Sequence, residues 1–230
     1  MVDIIWPFSI MMSVMKTKLG ILGGSFNPIH IGHLVIAEEV YHYHHLSKVL
    51  FVPLGRPPHK MPSDLADASH RYEMVRQAIN GNNHFEVSDI EIKRTGKSYT
   101  IDTVESIIRL HEGRCELYLI IGDDTLQELP SWKDVKRLST LCHFVTVNRP
   151  TPTLTLPPAW GREEREIWAQ LEEILGSEKV SEMTQLRVEI PSIGISSTDI
   201  RARIKSGLGI KYLVPPCVEE YIIKHKLYES

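Results

Sequence analysis

His30 and His33, which flank Gly32, are the residues in this chain whose type and spacing most clearly indicate chemistry. A short apolar run at 19–22 precedes them, and apolar residues at helical spacing follow from Leu34. The histidines should therefore lie at a strand-to-helix turn, where an open α/β sheet presents ligands to a helix N-terminus. Imidazoles and backbone N–H groups there can donate hydrogen bonds to phosphate oxygens. The pattern predicts a site for a polyanion.

The residues just before the histidines support the same interpretation. Gly23 and Gly24 would let a nucleotide lie against the backbone, because they have no side chains. Asn27-Pro28 is a turn signal ahead of the helix. A glycine pair alone indicates only a tight turn, and a single histidine only a surface or core residue. Both together, in this order, are harder to explain by packing.

A second anion site is predicted at 196–201, where Ser196, Ser197 and Thr198 open a helix and Arg201 follows one turn later. An ordinary serine N-cap explains the hydroxyl groups equally well. From these residues alone, both interpretations stay open.

Further candidates lie in loops at the ends of predicted elements. Asp123 and Asp124 follow a buried strand, where carboxylates could bond ribose hydroxyls or a metal ion, or cap a helix. Lys60 lies in a proline-rich loop within reach of phosphate, although a solvated lysine is the ordinary interpretation. Ser98 and Thr100 are N-cap candidates for the next helix.

Hydrophobic periodicity predicts the elements that position these groups. Six apolar runs that read as strands alternate with helical segments, which favours an α/β fold with a doubly wound, mainly parallel sheet and a small C-terminal helical part. The charged helix at 162–175 is expected to lie outside the sheet. The helix after Thr100 is expected to bury one face, made of Ile101, Val104, Ile108 and His111.

Composition limits the class of protein. With 230 residues, 42% of them hydrophobic, the chain can bury one substantial core. Its net charge of −3 gives no general attraction to nucleic acid, so no nucleic-acid partner is expected. The apolar stretch at 1–14 is interrupted by Asp3 and Pro7 and is too short to span a bilayer. We expect no membrane partner, and interpret 1–14 as a dispensable extension before a single domain at 15–230.

Cysteine and histidine usage adds two expectations. The three cysteines are widely spaced and odd in number, and no secretory signal is present, which favours the reducing cytoplasm. His42, His44 and His45 cluster, but no cysteine or carboxylate completes a set with metal-ligand spacing. An exposed helix end is the preferred interpretation of these three histidines.

Several motifs together resemble the bacterial nicotinate-nucleotide adenylyltransferases, members of the nucleotidyltransferase superfamily that shares an H-x-G-H signature. The likeness runs from about residue 15 to the C-terminus, with the motifs in the family's order. The stretch 1–14 and a charged helical insertion near 160–182 depart from it. The motifs are GGSFNPIHIGHL at 23–34, FVPLGRPPHK at 51–60, SYTIDT at 98–103, IGDD at 121–124, Trp132 and ISSTDIR at 195–201.

The resemblance implies a Rossmann-like nucleotidyltransferase fold and a reaction between ATP and nicotinate mononucleotide. The products would be nicotinate adenine dinucleotide and pyrophosphate, in NAD biosynthesis, with Mg²⁺ accompanying ATP. The mononucleotide phosphate attacks the α-phosphate without an enzyme nucleophile. The protein must therefore align two polyanions and stabilise the developing charge.

The same likeness implies roles for individual residues. The catalytic residues would be His30, His33 and Arg201. No side chain is assigned to a metal ion. The ATP-binding residues would be Gly23, Gly24, Ser25, Phe26, Gly32, His33, Ser196, Ser197, Thr198 and Arg201. The residues binding nicotinate mononucleotide would be Asn27, Lys60, Tyr99, Thr100, Asp124 and Trp132.

Three alternatives stay open. Class I aminoacyl-tRNA synthetases share the His-Ile-Gly-His signature, but would need a late KMSKS loop and a tRNA-binding domain, and the similar residues at 60–63 come too early. A nicotinamide-mononucleotide or pantetheine-phosphate adenylyltransferase shares the chemistry but fits SYTIDT and Trp132 less well. A non-catalytic nucleotide-binding regulator would not need His30, His33 and Arg201. Homo-oligomerisation is left open by the sequence.

Overall fold

The apolar runs form a single sheet. The computed structural model describes residues 16–57, 64–148, 162–191 and 193–229. The sheet has six strands within these residues, in the order β3-β2-β1-β4-β5-β6, and each strand is parallel to its neighbours. The predicted doubly wound α/β sheet is confirmed, and within the described residues it is entirely parallel. The strands are β1 (Thr17–Gly24), β2 (Lys48–Pro53), β3 (Phe85–Val87), β4 (Cys115–Gly122), β5 (His143–Asn148) and β6 (Val188–Glu189).

Helices cover both faces of the sheet. One buried cluster packs Ile36, Met74, Ile200 and Ile222 on one face, and a second packs residues such as Val104 on the other. The central strands contribute alternate residues to the two clusters, so they are apolar throughout. The helices are α1 (Ile31–Tyr43), α2 (Ala68–Ala78), α3 (Thr100–Leu110), α4 (Asp123–Leu126), α5 (Val135–Leu141), α6 (Arg162–Leu175), α7 (Ser177–Gln185), α8 (Ser197–Lys205) and α9 (Pro216–His225), with a 3-10 turn at Leu129–Ser131.

The strand order creates a crevice between β1 and β4. These two strands are neighbours in the sheet but not in sequence, so the chain leaves them toward opposite faces. In open α/β sheets, ligands bind outside the carboxyl ends of the strands at this switch point. Here those ends are Gly24 and Gly122. The fold therefore brings the segments that follow β1 and β4 to one place.

Two helices have features that the sequence pattern did not predict. Helix α3 has Tyr99 as its N-cap, not Ser98 or Thr100, and it buries Ile107, whereas His111 is an exposed C-cap. Helix α6 lies outside the sheet, as expected, but its Trp168 and Leu171 are buried in the second cluster. An amphipathic helix with a charged outer face looks solvent-exposed when only its charge is considered, and its apolar stripe decides where it packs.

The three histidines at the C-terminal end of α1 differ in their exposure. His42 and His45 are exposed as expected, but His44 is buried and its Nε2 donates to the carbonyl of Leu186 at 3.0 Å. Burial lowers the pKa of His44. Among the described residues, no helix is long and apolar enough to cross a membrane. The extension predicted at 1–14 lies outside the described residues.

Candidate active site

The loop after β1 has an unusual backbone. Phe26 adopts a left-handed conformation with φ of +46°, and the Asn27–Pro28 peptide bond is cis. The Phe26 side chain is buried, packing against Phe51 and edge-on to His33. A Cβ on Gly24 would lie 3.3 Å from the Phe26 ring, so glycine fits closely there. The Phe26 side chain thus packs beneath the loop in the core and exposes almost no surface to a ligand.

His30 and His33 lie together at the start of α1. His30 is the N-cap and is buried, and the two imidazole rings are 3.8 Å apart. A Cβ on Gly32 would come within 3.1 Å of the His30 ring, so a side chain at this position would press on that ring. His33 Nδ1 accepts a hydrogen bond from the His30 backbone N–H at 3.2 Å. In a neutral His33 ring the proton must therefore be on Nε2, which makes that atom a donor.

The second predicted stretch lies beside the first. Ser196 caps α8, accepting from the Asp199 backbone N–H and donating to the Asp199 carboxylate. Ser197 donates to the Pro28 carbonyl at 2.9 Å, and Thr198 is exposed. The Ser197 bond joins the start of α8 to the loop that leads into α1. Two helix N-termini, each carrying a partial positive charge, are therefore brought to one side of the crevice.

Arg201 points back from α8 toward the same loop. Its Nε and Nη2 each lie 2.8 Å from Asp64 Oδ2, and its Nη1 donates to the Asn27 carbonyl at 2.9 Å. The side chain is 14% exposed. Hydrogen bonding from Arg201 lowers the pKa of Asp64. The structure thus brings Arg201 to the loop after β1, although 174 positions separate it from Asn27.

Asn27 occupies an interior position. Its Nδ2 donates to the Asp64 carbonyl, and its Oδ1 accepts from the Ala66 N–H and from the Tyr228 hydroxyl at 2.9 Å. An amide oxygen has two lone pairs, so both are used. The side chain is buried. The structure therefore places the Asn27 side chain inside the protein, with its amide hydrogen-bonded to three other residues.

Arg71 is a buried cation that no sequence motif indicates. Its guanidinium donates to three carbonyls, those of Ala66, Ser25 and Leu54, at 2.7–2.9 Å. It is 1% exposed, and burial lowers its pKa. Arg71 joins the loop after β1 to the loops after β2 and before α2. Its spacing from the buried Met74 and Val75, three and four residues later, is the signal that could have placed it inside.

The other side of the crevice is formed by the start of α3 and the chain after β4. Tyr99 caps α3 without a side-chain hydrogen bond, and Thr100 is the first helical residue. Tyr99 and Trp132 are both partly buried against the second apolar cluster. Lys133 Nζ lies 4.6 Å from the Tyr99 ring centroid and 3.1 Å from Asp102. These contacts bring the predicted residues Tyr99, Thr100 and Trp132 into one region.

A buried carboxylate connects this region to the loop after β2. Glu91 accepts from the Gly55 backbone N–H and from the Thr103 hydroxyl at 2.8 Å. A Cβ on Gly55 would come within 2.2 Å of the Glu91 carbonyl oxygen, so only glycine fits. The predicted residue Lys60 lies outside the described residues. The side chain of Asp124, in α4, also lies outside the described part.

The polar groups at the two helix N-termini are mostly hydrogen-bond donors. Within the described ranges, no group of three or more His, Cys, Asp or Glu side chains could hold a metal ion. Imidazole N–H, backbone N–H and guanidinium groups instead suit phosphate oxygens. A divalent cation that prefers oxygen ligands would fit this donor set through the phosphates of its own nucleotide.

Comparison with known proteins is consistent with this arrangement. The chain matches the cytidylyltransferase-like family over residues 21–203. A protein of a Thermoanaerobacter species named "Probable nicotinate-nucleotide adenylyltransferase" is 43% identical over 94% of this chain and 96% of its own length. One of the same name from Moorella thermoacetica is 43% identical over 92% of this chain and 91% of its own.

A solved structure supports the fold. It is the Plasmodium falciparum nicotinic acid mononucleotide adenylyltransferase complexed with NaAD. It superposes with a TM-score of 0.67 at 20% identity, covering 93% of this chain and 98% of that one. At this identity the likeness concerns the fold alone.

Proposed function

We propose how the two substrates are divided across the crevice, on the premise that this chain belongs to the cytidylyltransferase-like family and, within it, to the nicotinate-nucleotide adenylyltransferases. The enzyme transfers the adenylyl group of ATP to nicotinate mononucleotide. The products are nicotinate adenine dinucleotide and pyrophosphate, in NAD biosynthesis. The observation that carries this function is the meeting of two helix N-termini, with His33 and Arg201, at the carboxyl edge of β1.

The ATP half of the site is formed by residues 23–34 and 193–201. Here His33 Nε2–H would donate to a non-bridging oxygen of the α-phosphate, where charge develops during transfer. Arg201 keeps an N–H on each terminal nitrogen beyond the bonds described above, and these would reach the departing pyrophosphate. Gly23, Gly24 and Gly32 would let the nucleotide approach the backbone. We assign His30 to orienting His33 through its backbone N–H.

The acceptor half is formed by residues 99–102 and 129–133. The first backbone N–H groups of α3 carry partial positive charge, and Lys133 adds a cation beside them. A pyridine carboxylate would gain charge-assisted hydrogen bonds there, and Trp132 would stack on the ring. A carboxamide would present its own donors to these donors, leaving a polar group unpaired at a cost of about 1–3 kcal/mol. Lys60 and Asp124 remain proposed contacts of the mononucleotide.

The remaining assignments are proposals of the same kind. Mg²⁺ would enter with ATP, bound to the phosphates, and would neutralise charge on the departing pyrophosphate. Residues 15–230 would form the single catalytic domain, with 1–14 as an extension. The three unpaired cysteines support a reducing cytoplasm as the working compartment. We propose no nucleic-acid or membrane partner.

One assay tests the function. Pyrophosphate release from Mg·ATP is measured with nicotinate mononucleotide, nicotinamide mononucleotide or phosphopantetheine as acceptor. We expect the acid to be used with a kcat/KM about tenfold to a hundredfold above that of the amide, since 1.4 kcal/mol is a factor of ten. Equal use of acid and amide would contradict the proposed acceptor half. If phosphopantetheine were the one acceptor that supports pyrophosphate release, the protein would instead be a pantetheine-phosphate adenylyltransferase.

A further inference from the structure

We propose that Asp64 and Tyr228 are positioning residues for Arg201, which they hold in place before ATP binds. Neither residue contacts a substrate in this proposal. Asp64 binds the guanidinium directly, and Tyr228 acts through Asn27, whose backbone carbonyl accepts the third bond from Arg201. The inference rests on the role proposed above for Arg201 at the pyrophosphate portion of ATP.

The contact with Asp64 fixes the direction of the guanidinium. A guanidinium is planar, with five N–H donors in a rigid fork. Two donors, on Nε and Nη2, converge on Asp64 Oδ2, and one on Nη1 binds the Asn27 carbonyl. The remaining two N–H bonds, one on each terminal nitrogen, then have no rotational freedom of their own. They are aimed by the three bonds already made.

The hydrogen bond from Arg201 Nη1 to the Asn27 carbonyl depends on how firmly Asn27 is held. The Asn27 side chain is held by the Asp64 carbonyl, the Ala66 N–H and the Tyr228 hydroxyl. Burial raises the pKa of Tyr228, so its hydroxyl keeps the proton that it donates to Asn27 Oδ1. Tyr228, which lies just beyond the C-cap of α9, therefore helps to fix the residue whose carbonyl Arg201 uses, across 201 positions of sequence.

A positioning role and a purely stabilising role predict different effects on the melting temperature and on the kinetics. If Asp64 and Tyr228 only stabilised the fold, their loss would lower the melting temperature and leave the kinetics of the folded fraction unchanged. If they position Arg201, their loss must lower kcat/KM for ATP, and the effect must disappear once Arg201 can no longer make its bonds. KM for the mononucleotide should stay unchanged in both variants, since the acceptor half lies on the other side of the crevice.

The test is a pair of double-mutant cycles on the full chain, with Mg·ATP and nicotinate mononucleotide as substrates. Asp64→Asn and Tyr228→Phe are each made in the wild type and in Arg201→Lys, whose ammonium cannot reproduce the planar fork. In the wild type we expect kcat/KM for ATP to fall about tenfold for Asp64→Asn and about threefold for Tyr228→Phe, because a small misplacement of a catalytic cation is costly. In Arg201→Lys, each effect should shrink to less than about twofold.

Matched controls separate positioning from loss of stability. Asp67→Ala, three residues from Asp64, removes the N-cap of α2 and should lower the melting temperature with little change in kinetics. Tyr221→Phe removes a hydroxyl of α9 that contacts His70 and should likewise leave the kinetics unchanged. Neither Asp67 nor Tyr221 has a described hydrogen bond to Arg201 or Asn27.

The outcomes distinguish the two proposals. If Arg201→Lys alone leaves kcat/KM for ATP unchanged, the role proposed for Arg201 fails. Suppose instead that Arg201→Lys lowers kcat/KM for ATP, but that Asp64→Asn and Tyr228→Phe have the same effects in that variant as in the wild type. The positioning proposal is then overturned, and the role proposed for Arg201 stands. A lower KM for ATP in Asp64→Asn would also overturn the positioning proposal, because Asp64 would then be competing with phosphate for Arg201.

Discussion

The loop after β1 and the segments around Tyr99 and Trp132 face one crevice, but their side chains are held in different ways. In the ATP half, Arg71, Arg201 and Asn27 each make three hydrogen bonds to other segments, and all three are largely buried. In the acceptor half, the described polar contact between the two segments is that of Lys133 with Asp102, whose side chains are 43% and 35% exposed.

The difference matches the demands of the two substrates. The transferring phosphate must be held within a fraction of an ångström, which favours donors fixed before binding. A flat pyridine ring needs only a surface to stack on and a charged group at one edge. We therefore expect substitutions in the ATP half to change stability or kcat, and substitutions in the acceptor half to change KM.

Removal of Arg71 should have the largest effect. Arg71→Leu leaves three buried carbonyls without their donor, each at about 1–3 kcal/mol, so the free energy of unfolding should fall by at least ~3 kcal/mol. Urea unfolding followed by circular dichroism measures the change. Arg76→Leu, on the exposed side of the same helix, should alter stability little. Similar midpoints for the two variants would contradict the view that buried bonds hold the ATP half.

His33→Ala comes next, and tests the chemistry of the ATP half. Loss of the Nε2–H donor should lower kcat about a hundredfold, with a much smaller change in KM for the mononucleotide. Steady-state kinetics with both substrates varied gives both parameters. His42→Ala, on the same helix but exposed beside Glu38, is the control and should retain full turnover. Near-normal kcat in His33→Ala would remove His33 from the catalytic residues.

Trp132→Ala should have the smallest effect, and that effect should be limited to binding in the acceptor half. Loss of a stacking surface worth roughly 1–3 kcal/mol should raise KM for the mononucleotide about tenfold. KM for ATP should be unchanged. Acid and amide should be weakened in parallel, because stacking on a flat ring discriminates little between them. Trp132→Phe should restore most of the affinity, and Tyr212→Ala, at a residue 82% exposed, should change nothing. If Trp132→Ala changed the ratio of kcat/KM for the acid to that for the amide, Trp132 would have to contact the carboxylate or carboxamide group itself.

The sequence predicted the strands well, because buried parallel strands are short apolar runs with clear ends, as in 48–53 and 117–122. It also predicted that 23–34 and 196–201 would meet, but only through resemblance. The interior roles of Asn27, Asp64 and Tyr228 were missed, since their contacts span 37 to 201 positions and leave no local pattern. The buried face of α3 was predicted in part. Ile108 packs against the second cluster, but Ile107 is the more deeply buried of the two, and only packing selects between adjacent apolar residues.

The bond between Tyr228 and Asn27 also has a consequence for how the enzyme is made. A ribosome produces the loop after β1 early, and domains begin to fold from the N-terminal side during synthesis. The partners of that loop, Arg201 and Tyr228, emerge about two hundred residues later. A nascent chain can thus pair β1 with β2, and β2 with β3, long before its ATP half is complete. Nucleotide-binding competence should be among the last properties that the growing polypeptide acquires.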